Sequence, residues 1–179
     1  IEGNCGDVMV AGGVESMSRA PFVMAKGQTA FDRRCEIHDT TIGWRFTNPK
    51  LSELYHPFSM GETAENLAKK YKIDRTAQDG FAVASHQKAA KAQDDGKFKD
   101  EIVAIKHGGK EIKEDGCIRG DSSLESLSTL DPAFDKNGTV TAGTSSPLTD
   151  GASAVLVCTE EYAKKNNLEP LARIRSIAV

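Results

Sequence analysis

The chain has 179 residues, 23 Lys and Arg against 26 Asp and Glu, with 39% hydrophobic and 27% charged residues, which excludes a disordered chain and a membrane protein. A net charge of −3 is too close to neutral for nucleic acid or an anionic membrane to be the main partner, so any anionic ligand has to be held locally. The four cysteines form no C-x-x-C pair, the longest apolar run (152–158) falls far short of a bilayer, and no basic-then-apolar leader opens the chain; a cytoplasmic compartment is the expectation.

In chain order, 7–11 reads as a strand, Gly12-Gly13 as a tight turn with positive φ, and 14–21 as a polar loop. From 21 to 58 no period is sustained, and Trp44, Phe46 and Tyr55 stand apart among turn residues, so a long excursion with little regular structure is expected. Met60, Ala64, Leu67, Ala68 and Tyr71 recur at helical spacing and predict a helix over 61–71, with Glu62 and Glu65 early and Lys69 and Lys70 late, as the helix dipole favours. Asp74 then caps a second helix over 76–93, with Ala77, Phe81, Ala84, Ala89 and Ala92 mostly on one face and Gly96 ending it; the two form a helical hairpin. Segments 101–106 and 111–113 flank Gly108-Gly109 as a short β-hairpin, and 122–130 suits a short helix capped by Ser122 or Ser123.

The stretch 134–152 is dominated by small residues and hydroxyls. It suits either the close approach of a ligand or another backbone, or a turn-rich linker. Residues 152–158 read as a strand buried on both faces, Thr159 caps a short helix over 160–166, and 171–179 alternates partially like another strand. The class is α/β in a mixed α+β arrangement. Both termini fall in strand patterns that need partners, so the chain is expected to be a piece of a longer one.

The residues alone provide no catalytic constellation. His38, His56, His86 and His107 lack metal-ligand spacing and read as solvated or satisfied, with His86 among Lys and Gln as an exposed residue would be. Cys5, Cys35, Cys117 and Cys158 read as small buried hydrophobes or incidental surface thiols. No P-loop, dinucleotide fingerprint or G-x-S-x-G elbow occurs, no metal site is expected, and 106–115 is a solvated charge run.

Four stretches in order carry a resemblance: Ala11-Gly-Gly-Val-Glu-Ser-Met-Ser18; Ser59-Met-Gly-Glu-Thr-Ala-Glu-Asn66; Gln78-Asp-Gly-Phe-Ala-Val-Ala-Ser85 with Asp95-Gly-Lys-Phe98; and Pro132-Ala-Phe-Asp-Lys-Asn-Gly-Thr-Val-Thr-Ala142 continuing to Leu148-Thr-Asp-Gly-Ala152. Together they resemble the thiolases, acyltransferases that act on acyl-coenzyme A. The resemblance implies a partial thiolase fold: residues 1–18 ending the N-terminal half, 19–143 forming the inserted helical loop domain that meets coenzyme A, 144–168 returning to the N-terminal half, and 169–179 opening the C-terminal half. It implies thiolysis of a 3-ketoacyl-CoA, or the reverse Claisen condensation, by a parent homodimer or homotetramer. Coenzyme A is then a substrate and nothing is bound covalently. The family's nucleophilic cysteine and its downstream His and Cys motifs find no match here, and Cys5 stands where the family does not place its nucleophile, so recognition rather than chemistry is expected and the chain alone is expected to be inactive.

Position by position, the resemblance assigns Arg119 and Ser126 to the nucleotide end of coenzyme A, Phe134, Ala142 and Ser146 to the pantetheine arm, and Met60 to the acyl end. A guanidinium suits both adenine stacking and phosphate pairing. Without the resemblance the same residues read as a solvated Arg119, a surface Ser126, a core Phe134 and Met60, and turn residues Ala142 and Ser146. Ser59 stands where acetoacetyl-CoA thiolases typically carry His. That departure, with the segments 39–46 and 145–150, points toward degradative 3-ketoacyl-CoA or β-ketoadipyl-CoA thiolases. Fatty-acid β-oxidation is one expected setting. A non-catalytic acyl-CoA-binding or interaction module is the alternative.

Overall fold

A computed structural model describes residues 6–178; Cys5 and the extreme termini lie outside the described residues. The elements in chain order are β1 (Val8–Ser16), a 3-10 turn (Met17–Arg19), β2 (Phe22–Met24), β3 (Ile37–Asp39), α1 (Pro49–Leu54), α2 (Met60–Tyr71), α3 (Arg75–Asp94), β4 (Ile105–His107), β5 (Lys110–Ile112), α4 (Leu124–Ser128), a second 3-10 turn (Ala142–Thr144), β6 (Asp150–Cys158) and α5 (Glu160–Lys165). The chain divides into two compact units, one of residues 6–21 with 148–178 and the other of 22–147.

In the first unit β1 pairs antiparallel with β6, from Val8 opposite Cys158 to Ser16 opposite Asp150. Gly12 and Gly13 lie inside this ladder rather than at a turn, and neither has positive φ. Gly12 is required for proximity: a Cβ there would come within 2.7 Å of the Ser153 carbonyl oxygen. The expected burial of 152–158 on both faces is also overturned, since most of β6 is exposed and only Val157 and Cys158 are half-covered. Within the described residues this ribbon has just two strands, which cover neither face of one another. No strand is assigned in 171–178, where the alternation predicted one; Arg173 instead reaches Glu160 through its guanidinium. Thr159 caps α5 by accepting from the Tyr162 N–H at 3.1 Å, and Ala163 is buried.

The second unit holds more regular structure than the sequence suggests. Its 22–58 portion contains the β2–β3 ladder and the helix α1, which Asn48 caps by accepting from the Lys50 N–H at 3.0 Å with Pro49 in the first turn. These elements are too short to show a period. The local signals for α2, α3 and α4 hold: Ser59 and Glu62 form a reciprocal capping box, Asp74 accepts from Ala77 N–H at 2.8 Å, and Ser123, not Ser122, caps α4. α2 ends at Lys72 in the left-handed region (φ 53), with the Ile73 N–H closing on the Ala68 carbonyl at 2.9 Å. The hairpin β4–β5 turns at Gly108 (φ 57) and Gly109 (φ 76), the left-handed pair a two-residue turn needs.

What the helices bury differs from the expected stripes. On α2, Glu65 and Ala68 are buried, whereas Met60, Leu67 and Tyr71 are exposed. On α3 the covered residue is Asp79, with Ala82, Val83, His86 and Ala90 half-covered along the same face, and Phe81 is 78% exposed. That face packs on α4 and on the 142–144 turn. Gly143 lets that turn also close on α4, because a Cβ there would lie 2.6 Å from Leu127 Cδ2.

Candidate functional site

Two carboxylates organise the second unit. The buried Glu65 accepts from the Val140 N–H at 2.7 Å and, through Oε1, from the Thr139 N–H at 2.8 Å. Gly138 makes room for it, since a Cβ there would stand 2.2 Å from Glu65 Oε1. Residues 132–141 fold back on themselves, with the Ala133 N–H donating to the Val140 carbonyl at 2.9 Å and a bridge between Pro132 and Thr141. Asp79 accepts from Arg75 Nε at 2.8 Å, and the other arm of that guanidinium donates to the Leu127 carbonyl on α4. The sequence places Glu65 in the first turns of α2 only as a complement to the helix dipole and gives Asp79 no role of its own. No local signal set either apart, since Glu65 stands between Ala64 and Asn66 much as Glu62 stands between Gly61 and Thr63.

The fold-back carries Phe134 onto α2. Gly61 is the seat: a Cβ there would meet the Phe134 ring at 2.3 Å. Phe134 is thereby seated on the first turn of α2, at the residue that follows Ser59 and Met60 in the chain. Ser59 is half-buried by its capping role, and its N–H donates to Glu62 Oε2 at 2.7 Å, which holds the Glu62 carboxyl below the usual range. Met60 is 83% exposed, so it is not a core residue. Below Phe134 lies a cavity of about 430 Å³ lined also by Phe58, Glu62, Asn66, Lys69 and Asp135. Lys69 and Asp135 bridge its wall at 2.7 Å; the contact raises the Lys69 pKa and lowers that of Asp135, two directions that agree.

Arg119 and Ser126 lie elsewhere, along α3. The Arg119 N–H donates to His86 Nδ1 at 3.2 Å, so His86 is engaged rather than free in solvent, contrary to its exposed sequence setting. Eleven residues earlier Arg75 fastens α4, which carries Ser126; at 1.5 Å rise per residue the two docking points are about 16 Å apart. Ser126 Oγ accepts from the Ser123 N–H at 3.2 Å and donates to the Ser123 carbonyl at 3.0 Å, so this hydroxyl already serves the capping box. Ala142 opens the second 3-10 turn and Ser146 follows it, both exposed. Their neighbour Thr141 is fully buried and its Oγ1 has no hydrogen-bond partner. Cys35, Cys117 and Cys158 carry free thiols. Among the described residues no three His, Cys, Asp or Glu side chains gather as metal ligands, and no helix is long and apolar enough to cross a membrane.

Residues 1–161 match the family model described as thiolase, N-terminal domain. The chain is 46% identical over 183 aligned positions to the 3-oxoadipyl-CoA/3-oxo-5,6-dehydrosuberyl-CoA thiolase of Escherichia coli K12, covering 99% of this chain and 46% of that protein. It is also 46% identical over 177 positions to an acetyl-CoA acetyltransferase of Paracoccus denitrificans, covering 96% of this chain and 44% of that one. Human mitochondrial 3-ketoacyl-CoA thiolase, solved in complex with CoA, superposes with a TM-score of 0.78 at 36% identity over 92% of this chain and 41% of its own. The chain thus spans less than half the length of these relatives.

Proposed function

The chain belongs to the thiolase family, and from that premise we propose that it supplies the coenzyme A recognition surface of an acyltransferase that cleaves a 3-ketoacyl-CoA with a second coenzyme A, or runs the reverse condensation. Residues 19–143 act as the inserted loop domain, 1–18 and 144–168 as portions of the N-terminal half, and 169–179 as the opening of the C-terminal half. The family's acyl-transfer cysteine, its activating histidine and its second cysteine are contributed by sequence outside these 179 residues, so the chain alone binds but does not turn over. The assembled enzyme is a cytoplasmic homodimer or homotetramer.

The observation that supports this reading best is the seating of Phe134 on Gly61 beside Ser59 and Met60. Phe134 offers an aromatic wall for the pantetheine arm on a cavity large enough for part of such a ligand, and the exposed Met60, one residue before Gly61, offers an adaptable thioether for the acyl end. Ala142, next to the 139–140 strip held by Glu65, offers a small side chain for close approach, and Ser146 offers a hydroxyl to a pantetheine amide. Arg119 and Ser126 take the nucleotide end. Ser59 in place of an imidazole, together with relatives named for 3-oxoadipyl-CoA, favours a 3-oxo acyl chain longer than acetoacetyl. Such a substrate places the enzyme in degradation of aromatic-derived dicarboxylic acids rather than in fatty-acid β-oxidation.

Calorimetric titration of the 179-residue chain tests the reading. Coenzyme A binds weakly, Phe134→Ala and Arg119→Ala each weaken it several-fold, and no thiolysis of 3-oxoadipyl-CoA or acetoacetyl-CoA accompanies binding. Absence of any heat with coenzyme A, or turnover by the purified chain, would falsify it.

A further inference from the structure

The loop that carries Arg119 is fastened to α3 at two consecutive residues. The Arg119 N–H donates to His86 Nδ1 at 3.2 Å, and at the next residue a Cβ on Gly120 would come within 2.8 Å of the Ala90 Cβ. His86 and Ala90 are four apart on one helix, so both contacts fall on one face. The Arg119 carbonyl is held as well, accepting from the Ser122 N–H at 3.1 Å and from Ser122 Oγ at 2.8 Å. Both polar groups of the Arg119 backbone are therefore fixed, while its side chain is exposed and makes no ion pair among the described residues. A clamped backbone under an unpaired guanidinium is how a rigid element presents a cation to an anionic ligand at low entropic cost.

We infer that His86 is a positioning residue for coenzyme A recognition: its Nδ1, as hydrogen-bond acceptor, holds the backbone of Arg119 so that the guanidinium meets the nucleotide end. The inference rests on the reading that Arg119 serves that end. Because Nδ1 accepts, the ring proton resides on Nε2. Any side chain that places an acceptor at the same distance from the helix can replace the imidazole. Asn does so, its Oδ1 standing where Nδ1 stands, whereas Ala cannot.

The test compares wild type, His86→Ala, His86→Asn and Arg119→Ala by titration with three probes: coenzyme A, adenosine 3′,5′-bisphosphate and pantetheine. Arg119→Ala weakens the two nucleotide-bearing probes and leaves pantetheine unchanged. His86→Ala weakens the same two by roughly three- to tenfold, the range set by one lost hydrogen bond, and leaves pantetheine unchanged; His86→Asn restores them. Amide hydrogen exchange reports the clamp without ligand, with Arg119 N–H exchanging faster in His86→Ala and protected again in His86→Asn. If Arg119→Ala has no effect on the nucleotide probes, the functional reading itself fails. If Arg119→Ala weakens them but His86→Ala does not, the positioning role fails alone. Equal weakening of pantetheine by His86→Ala, or no rescue by His86→Asn, overturns it too, because a general loss of structure would give that result.

Discussion

The β1–β6 ribbon and the fold-back 132–141 on α2 are held by opposite means. The ribbon is a long ladder of nine-residue strands with almost no covered side chain, and a two-stranded ribbon of this kind is marginal by its own contacts. The fold-back has one bridge and only two backbone hydrogen bonds of its own, Ala133 N–H to the Val140 carbonyl and Gly138 N–H to the Asp135 carbonyl. Its firmness comes from the single buried carboxylate of Glu65 reaching across from α2. Regular hydrogen bonding and side-chain burial are thus separable sources of order. The assigned ligand contacts Phe134 and Ala142 lie in and beside the segment that depends on the second.

The sharpest way to break the comparison is Glu65→Ala. It strips the acceptor from the Thr139 and Val140 N–H groups, and at 1–3 kcal/mol per buried donor left unpaired the cost is about 3 kcal/mol. Calorimetric melting should show the unit 22–147 destabilised and the ribbon amides unaffected; an unchanged melt would mean the fold-back stands by its own ladder. Gly61→Ala comes next. The Phe134 ring must leave its seat, a shape change that costs about 1–3 kcal/mol, and coenzyme A binding should fall with stability.

Gly12→Ala sharpens the other half. Crowding of the Ser153 carbonyl should speed amide exchange along β1 and β6 while 138–141 keeps its protection. Acid gives a smaller effect at the ribbon's far end. Ser18 donates to both carboxylate oxygens of Asp150, from its N–H at 2.9 Å and from its hydroxyl, and these bonds lower the Asp150 pKa. A lowered folded-state value stabilises above the ordinary carboxylate range and is lost as pH falls through the lowered value. The Ser18 amide protection factor, referenced to the intrinsic exchange rate at each pH, should therefore fall on acidification and stay flat in Asp150→Asn. Smallest of all is Phe81→Ser, expected within about 0.5 kcal/mol of wild type by denaturant titration, since the ring is 78% exposed among the described residues.

The elements legible in the sequence were those whose cause is local. Asp74, Ser123 and Thr159 cap helices through atoms three residues away, and Gly108-Gly109 turns a hairpin by its own φ angles. What sequence missed is caused at long range. Glu65 meets its partners 74 and 75 residues along the chain, and nothing in its neighbours distinguishes it from Glu62, which does serve the local cap. Gly12-Gly13 looks like a turn because the strand it crowds lies far downstream. At the candidate site, the fold seats Phe134 on Gly61, next in the chain to Ser59 and Met60. The cause, an empty Cβ position filled by a ring 73 residues downstream, leaves no local mark in the sequence. His86 resembled a solvated helix residue because its partner stands 33 residues away.

Lys72, which closes α2, also bears on how the protein can change. A residue with a Cβ in the left-handed region costs about 1 kcal/mol or more that glycine does not. Glycine gives back part of that gain through the freedom of its unfolded chain. The sequence therefore retains an unused improvement at a position that touches no assigned ligand contact. In a mutational library selected for heat tolerance, Lys72→Gly and Lys72→Asn should be enriched early. They would act as permissive changes, giving the unit 22–147 a stability margin against which substitutions at Phe134 or Met60 could be explored.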